Sequence, residues 1–528
     1  MMKFTSNNIR NYQSISESLV LILILSGALF LRIYRLENYP SQVHVDELSN
    51  IYDGYSISET GADRWGMKNP VILRGFGDSD YRPPLYAWLS AVSIRCLGYS
   101  IVAGRLPSVV FGVLSLILLF ITAKKIGGKL FGYLSLFLAT LSPWHITFSR
   151  IALESAVLPS FFAILTIYLF ILVKDSSFRL HKVAFLGFCI GFATNDYQST
   201  KLIFFIIAVL LLSYLVRYSL RKRQVACVFI LCTALGASPQ LFAAFAMPEH
   251  FFSRAAGTMM PFSFSFNYFS ELLKNFYENL SPQYLFLNFG TYNNLTISRL
   301  LPVEMSFFYL GLFFLNRQLE DHKKLNPIYV YVLIVISILP GALTFDNPHA
   351  LRTSGNIIIF PMITASGILA IYNFVGNRAL RHAILLLISL LIIVNFTISI
   401  KKYINNFELS SVGQQNLLVR LGSKINRYQR SFENIYIEDI GNQPYIYIVS
   451  YSKVHPLAFQ KMQKENDGVG WDHFKRVGTF HFVDSTTVIK HLNSPKSVNL
   501  GILKVKISGH SLIDSVGIHG EKLFFYRK

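Results

Sequence analysis

The residues with the most chemistry in them stand in five short stretches. His44-Val45-Asp46-Glu47 sets two adjacent carboxylates shortly after an apolar run. A carboxylate in such a place can act as a general base if an acceptor hydroxyl comes within hydrogen-bond reach. It can also simply be solvated or cap a helix. Arg82-Pro83-Pro84-Leu85-Tyr86-Ala87-Trp88-Leu89 follows. Its prolines fix the chain ahead of an apolar, aromatic helix, which holds Arg82 at headgroup depth. A guanidinium there can pair bidentately with a phosphate, or it can snorkel. Ser142-Pro143 leads to Arg150 and then Glu154 at i+4, a spacing that also allows an internal ion pair. Asp196 and Lys201 flank another turn, and His349 and Arg352 a last one.

These stretches are separated by apolar blocks. Hydrophobic residues make up 52% of the 528 residues and charged residues 15%, with a mean hydropathy of +0.41. A soluble domain carries about 25% charged residues, so this composition indicates a membrane protein. Eleven helices are expected to cross, over residues 19–34, 106–123, 130–144, 156–173, 183–194, 202–216, 225–246, 303–315, 328–343, 357–374 and 383–400. The first is expected to be retained, because no small-residue cleavage site follows it.

The net charge of +20 falls largely in short loops. Lys124, Lys125 and Lys129, then Arg221, Lys222 and Arg223, then Arg378 and Arg381 all lie on one side if the N-terminus is cytoplasmic. That distribution obeys the positive-inside rule and gives the charge a topological meaning, with membrane lipids rather than nucleic acid as partner. All five chemical stretches then fall outside, as does a loop at 247–301 rich in Phe, Tyr and Asn that could lie on the membrane or over the site. An odd number of crossings also puts residues 401–528 outside, where mixed polarity and strand-like runs predict an extracytoplasmic α/β domain. The four cysteines sit in or beside apolar segments and read as buried apolar residues.

Asp46-Glu47, Arg82-Pro83-Pro84-Leu85, Ser142-Pro143 with Arg150, and Asn347-Pro348-His349 with Arg352 together resemble the bacterial GT-C glycosyltransferases. The nearest subgroup is family 39, which holds protein O-mannosyltransferases and aminoarabinose transferases of lipid A. The resemblance covers residues 15–400 and implies a polytopic α-helical GT-C fold. The transmembrane glycosyltransferase domain would span 1–400, with 35–105 as its first outer catalytic loop. It further implies a polyprenyl-phosphate sugar donor, a protein, lipid or glycan acceptor, and inverting transfer on the extracytoplasmic face of an inner or plasma membrane. Carried over, Asp46 is the general base and Glu47 its support. Arg82 stands where the family usually has Lys and would bind the lipid phosphate, with Arg150 and Arg352 as further phosphate or sugar contacts. His44, Asp80, Glu154, Asp196, Lys201 and His349 complete the candidate set. Tyr81 stands where aminoarabinose transferases often have an acid, and Glu154 where many relatives have Asp.

No cofactor is expected. Asp78-Ser79-Asp80 has the D-x-D spacing of nucleotide-sugar enzymes, and His44 beside Asp46 could add a ligand. However, an outer location has no cytosolic nucleotide sugars. The rival readings are a flippase for lipid-linked glycans, a polysaccharide polymerase, and a sensor with a membrane anchor. The first usually concentrates its polar groups at the midplane rather than in outer loops.

Overall fold

The computed structural model describes residues 6–40, 43–287, 291–292, 295–296, 298–320, 322, 324–409, 414–441, 443–468, 470–494, 498–518 and 521–528. Every one of the eleven apolar segments is helical, with altered boundaries. Ser6–Ile33 is the first helix. The second and third segments are assigned as one helix, Ile101–Leu141, broken at Gly128, whose φ of 86° only glycine takes readily. The two arms fold back on each other: a Cβ on Gly132 would lie 2.9 Å from that of Lys124, and Phe120 packs on Tyr133 at 5.0 Å. They form a hairpin, as the separate segments predicted.

The expected span 225–246 is a bent pair, Lys222–Gly236 and Ser238–Ala246, meeting at 69°. Pro239 enters the second helix in its first turn, where its missing N–H costs no helical bond. Among the described residues, five helices are long and apolar enough to cross a membrane, or six if that pair is one span. Leu180–Ala193 and Ile328–Ala342 are apolar but shorter. Eleven full-length crossings are therefore more than the helix lengths alone give.

The last long helix, Arg378–Leu409, runs past residue 400. Beyond it lies a seven-stranded mixed sheet. At its centre Asn434–Glu438 pairs in parallel with both Phe480–Val483 and Asn499–Leu503. Ser511–Ile518 and Glu521–Arg527 close one edge as an antiparallel hairpin. The strand-like runs read in the sequence, at 434–438, 479–483, 501–507 and 522–526, each fall on one of these strands, while Ser511–Ile518, Phe474–Val477 and Lys464–Asn466 were missed.

This domain is not a free appendage. Its core is continuous with the first loop: Val43, Leu48, Tyr52 and Phe76 pack with Leu418, Tyr445, Tyr447 and Phe459. Tyr52 donates to Val454 O and Tyr447 to Val43 O, each at 2.9 Å. Arg74 grips Asp472 through two hydrogen bonds, at 2.7 and 3.0 Å. Asp472 is buried, so Arg74→Ala leaves its carboxylate short of a charge partner. Such a loss costs about 1–3 kcal/mol. The expected outcome is faster limited proteolysis of residues 414–528 in Arg74→Ala than in the unmodified protein.

Candidate functional site

The site is built on the helix Val45–Thr60, at whose start His44 sets its Nδ1 3.3 Å from Oδ2 of Asp46. This helix rests on Leu85–Leu97, the helix that follows the two prolines. Contact is close because position 54 is glycine: a Cβ there would fall 2.7 Å from that of Ser90. The packing brings Asp46, Glu47, Ser49, Asn50 and Asp53 against Arg82 and the turn at 150–155.

Glu47 is fully buried and pairs bidentately with Arg105 at 2.7 and 3.1 Å. It also accepts from Ala152 N at 2.8 Å. Arg105 in turn donates to Leu36 O and Pro40 O. Glu47 thus ties the first helix's exit, the 150–155 turn and the helix Val45–Thr60 together.

Arg82 is also buried, among Ser49, Asp53 at 3.4 Å and Glu154 at 3.4 Å, with Asp46 at 4.0 Å. Burial disfavours its charge, but Glu154, Asp53 and Asp46 more than offset this and raise its pKa. Glu154 is held by Asn50, and Asp53 by Arg64, a pair that sequence spacing did not suggest.

Asp46 differs from its neighbours. A quarter of its side chain is exposed, against 0% for Asp53 and 8% for Glu154. Burial alone would raise its pKa. The hydrogen bond from His44 and the charges of His44, Arg254 and Arg82 prevail and hold it well below the usual carboxylate range. His44 is correspondingly raised: burial, the largest single influence, lowers it, but the Asp46 bond together with the charges of Asp46, Glu47 and Glu154 outweighs that.

Beside this cluster lies a mostly apolar cavity of about 890 Å³ between Gln198–Tyr218, the bent helix pair and the helix Pro248–Thr258. Its charged lining groups are Lys201, Arg254 and Arg352. Lys201 Nζ is buried over the Phe251 ring at 3.7 Å, with no hydrogen-bond partner among the described residues. Arg352 donates to Thr344 at 2.7 Å and Asp346 O at 2.9 Å. Arg254 pairs with Asp80, whose other oxygen accepts from Phe76 N, and its guanidinium lies 5.9 Å from the centre of the Tyr197 ring. Arg254 was absent from the sequence-derived set. A lone cation beside Phe251 and Phe252 in an expected outer loop was the available signal.

The other candidates fall in several places. Arg150 is not at the cavity; its guanidinium donates to Leu31 O, Tyr34 O and Tyr39 O and closes the C-terminal end of the first helix. Asp196 accepts from Ser155 N, and burial pushes its pKa well above the ordinary value. His349 lies 3.4 Å from Asp346, with burial and then Arg352 lowering its pKa to about 4. The D-x-D carboxylates diverge, Asp78 to Arg74 and Asp80 to Arg254. Among the described residues no three His, Cys, Asp or Glu side chains group to hold a metal ion.

Residues 81–242 match the family described as dolichyl-phosphate-mannose-protein mannosyltransferase. In fold the chain is similar to ArnT from Cupriavidus metallidurans bound to undecaprenyl phosphate, with a TM-score of 0.56 and 9% identity over 96% of this chain and 97% of that one. It is also similar to the archaeal oligosaccharyltransferase AglB from Archaeoglobus fulgidus, in complex with an inhibitory peptide and a dolichol-phosphate. There the TM-score is 0.51 and the identity 13%, over 84% of this chain and 64% of that one. No curated protein matches the sequence significantly.

Proposed function

We propose that the chain is a membrane glycosyltransferase of the GT-C class, similar over residues 81–242 to the dolichyl-phosphate-mannose-protein mannosyltransferases, and that it moves a sugar from a polyprenyl-phosphate donor to an acceptor hydroxyl with inversion. One observation carries the reading. The carboxylate of Asp46, a quarter exposed, is within electrostatic reach of Arg254, which lines an apolar cavity whose charged lining groups are all cationic. A polyprenyl phosphate has the same two-part character, an apolar chain ending in an anion.

In this scheme Asp46 takes the acceptor proton as the hydroxyl attacks the anomeric carbon opposite the phosphate. The bond to the phosphate oxygen breaks, and the phosphate leaves with the electron pair. Arg254, Arg352 and Lys201 stabilise that growing charge in a site of low dielectric. Asp80 positions Arg254. Arg82 contributes by keeping Asp46 ionised and Glu154 and Asp53 in place, not by holding phosphate. The apolar helical segments, short ones included, cross the membrane with the N-terminus cytoplasmic, so the site and the C-terminal domain face outside. The basic short loops support this orientation.

The test is release of free polyprenyl phosphate from a panel of polyprenyl-phosphate sugars by the protein in lipid, with an acceptor extract. Unmodified protein should release it with one sugar. Arg254→Gln should slow release by about 10²–10³, the usual effect of removing one such donor. Equal turnover by Arg254→Gln would remove the cavity from the reaction. Movement of intact lipid-linked glycan across vesicles, with no release, would establish a transporter instead.

A further inference from the structure

A short hairpin, Leu73–Arg74 paired with Tyr81–Arg82, touches three separate parts of the molecule. Arg82, at one end, sits in the Asp46 cluster. Asp80 and Tyr81 hold the helix Pro248–Thr258: Asp80 pairs with Arg254, and the Tyr81 ring stacks on His250 with centres 4.0 Å apart. His250 and Arg254 stand four residues apart, so both contacts fall on one face of that helix. Arg74, on the other strand, reaches the C-terminal domain at Asp472.

The turn between the strands is closed tightly on Asp80. Gly75 N donates to Asp80 O at 2.6 Å, and Phe76 N donates to the Asp80 carboxylate at 3.0 Å. A Cβ on Gly75 would collide with that carboxylate. The C-terminal domain presses on the same turn. Asp472 N donates to Phe76 O at 2.7 Å, and Gly77 lies so near Gly470 that a Cβ on Gly77 would collide with the Gly470 carbonyl. Asp472 is buried and is held from its own domain as well, its carboxylate by Asn466 Nδ2 at 2.8 Å and its carbonyl by Gln443 Nε2 at 2.5 Å. Phe76 therefore has its carbonyl on the domain and its N–H on Asp80. A displacement of Asp472 reaches the partner of Arg254 across a single residue.

We propose that Asp472 is a positioning residue for Arg254: the 466–473 loop of the C-terminal domain seats the 75–80 turn, and the turn aims the Arg254 guanidinium along the cavity wall. The domain thereby sets how strongly the cavity binds an anion, although it lies outside the cavity. That this anion is a lipid phosphate rests on the transferase reading above.

The test measures binding of farnesyl phosphate to the full-length protein in lipid nanodiscs. Asp472→Asn removes the charge that Arg74 grips. Gly77→Ala wedges the turn off its seat and removes no charge. Each should weaken binding about tenfold, the scale of one hydrogen bond to a charged group. In an Arg254→Gln background neither should weaken it further, because the guanidinium they act through is gone. Unchanged affinity in both single variants would overturn the proposal. So would an additive loss in the double variants, the behaviour of independent sites and of a general structural weakening. A second measurement needs no ligand. A nitroxide at Gly257→Cys, on the open face of the helix Pro248–Thr258 and with Cys96, Cys189, Cys227 and Cys232 replaced, should become more mobile in Asp472→Asn. Unchanged mobility would overturn the link from domain to helix. If the unmodified protein binds no farnesyl phosphate, the phosphate reading of the cavity fails, while the nitroxide result still decides whether Asp472 positions this helix.

Discussion

Asp46→Asn is expected to reduce sugar transfer by about 10²–10⁴, the range of a general base's contribution, with donor binding largely kept. The substitution is nearly isosteric and the side chain is a quarter exposed, so the thermal midpoint should move little. The pH dependence follows from the sign of the shift. Asp46 is held below the usual carboxylate range, so it is ionised above that range and is lost as a base only when pH falls through the lowered value. Its loss should therefore give no acidic limb above about pH 4, where an unperturbed Asp would titrate. A base this weak has little drive to take a proton from a neutral hydroxyl. Two of the charges that depress it, Arg254 and Arg82, differ in this respect. Arg254 lines the cavity, and a phosphate bound against it would cancel part of its pull. Donor binding then raises the basicity of Asp46 at the moment it is needed. Arg254→Gln should shift the acidic limb of the free enzyme upward as well as slowing release. Full activity in folded Asp46→Asn would remove Asp46 from the chemistry.

The membrane helices were legible because apolar blocks between basic loops leave a one-dimensional record, and even the hairpin at Gly128 appeared as two segments parted by lysines. Asp46, Arg82 and Arg352 were legible for a similar reason: charges beside apolar runs are few. What the sequence did not reveal is which carboxylate each cation meets. Arg150, Arg82 and Arg105 look alike along the chain. One closes the end of the first helix, one sits among Asp53, Glu154 and Asp46, and one clamps Glu47. Those partners lie from 29 to 119 residues away, and only the packing of Val45–Thr60 on Leu85–Leu97 and on the 150–155 turn brings them together. Arg254 and the cavity were hidden for the same reason, because its walls come from helices distant in sequence. The three missed strands are the antiparallel Ser511–Ile518, Phe474–Val477 and Lys464–Asn466, the last two of only four and three residues. Runs that short leave little alternation to read.

Glu47 separates a stability role from a catalytic one, and the second large effect lies there. Arg105 and Glu47 are both fully buried and bonded bidentately. Arg105→Ala would strand the Glu47 carboxylate with only the Ala152 N–H, and breaking a buried pair in this way costs about 3–5 kcal/mol. The expected result is a marked fall in thermal midpoint in detergent, with little folded protein at growth temperature. Glu47→Gln is milder: the amide oxygen can still accept from Ala152 N, and Arg105 keeps Leu36 O and Pro40 O. It should lower the midpoint less. Per folded molecule it should keep transfer within about threefold of the unmodified protein, since Glu47 reaches no reacting atom and can act only through the placement of Asp46. A drop as large as that of Asp46→Asn, in protein shown to be folded, would restore Glu47 to the catalytic pair that its position beside Asp46 first suggested. A midpoint that does not move in Arg105→Ala would mean the clamp does not hold the loop, and the geometry around Asp46 would need another support.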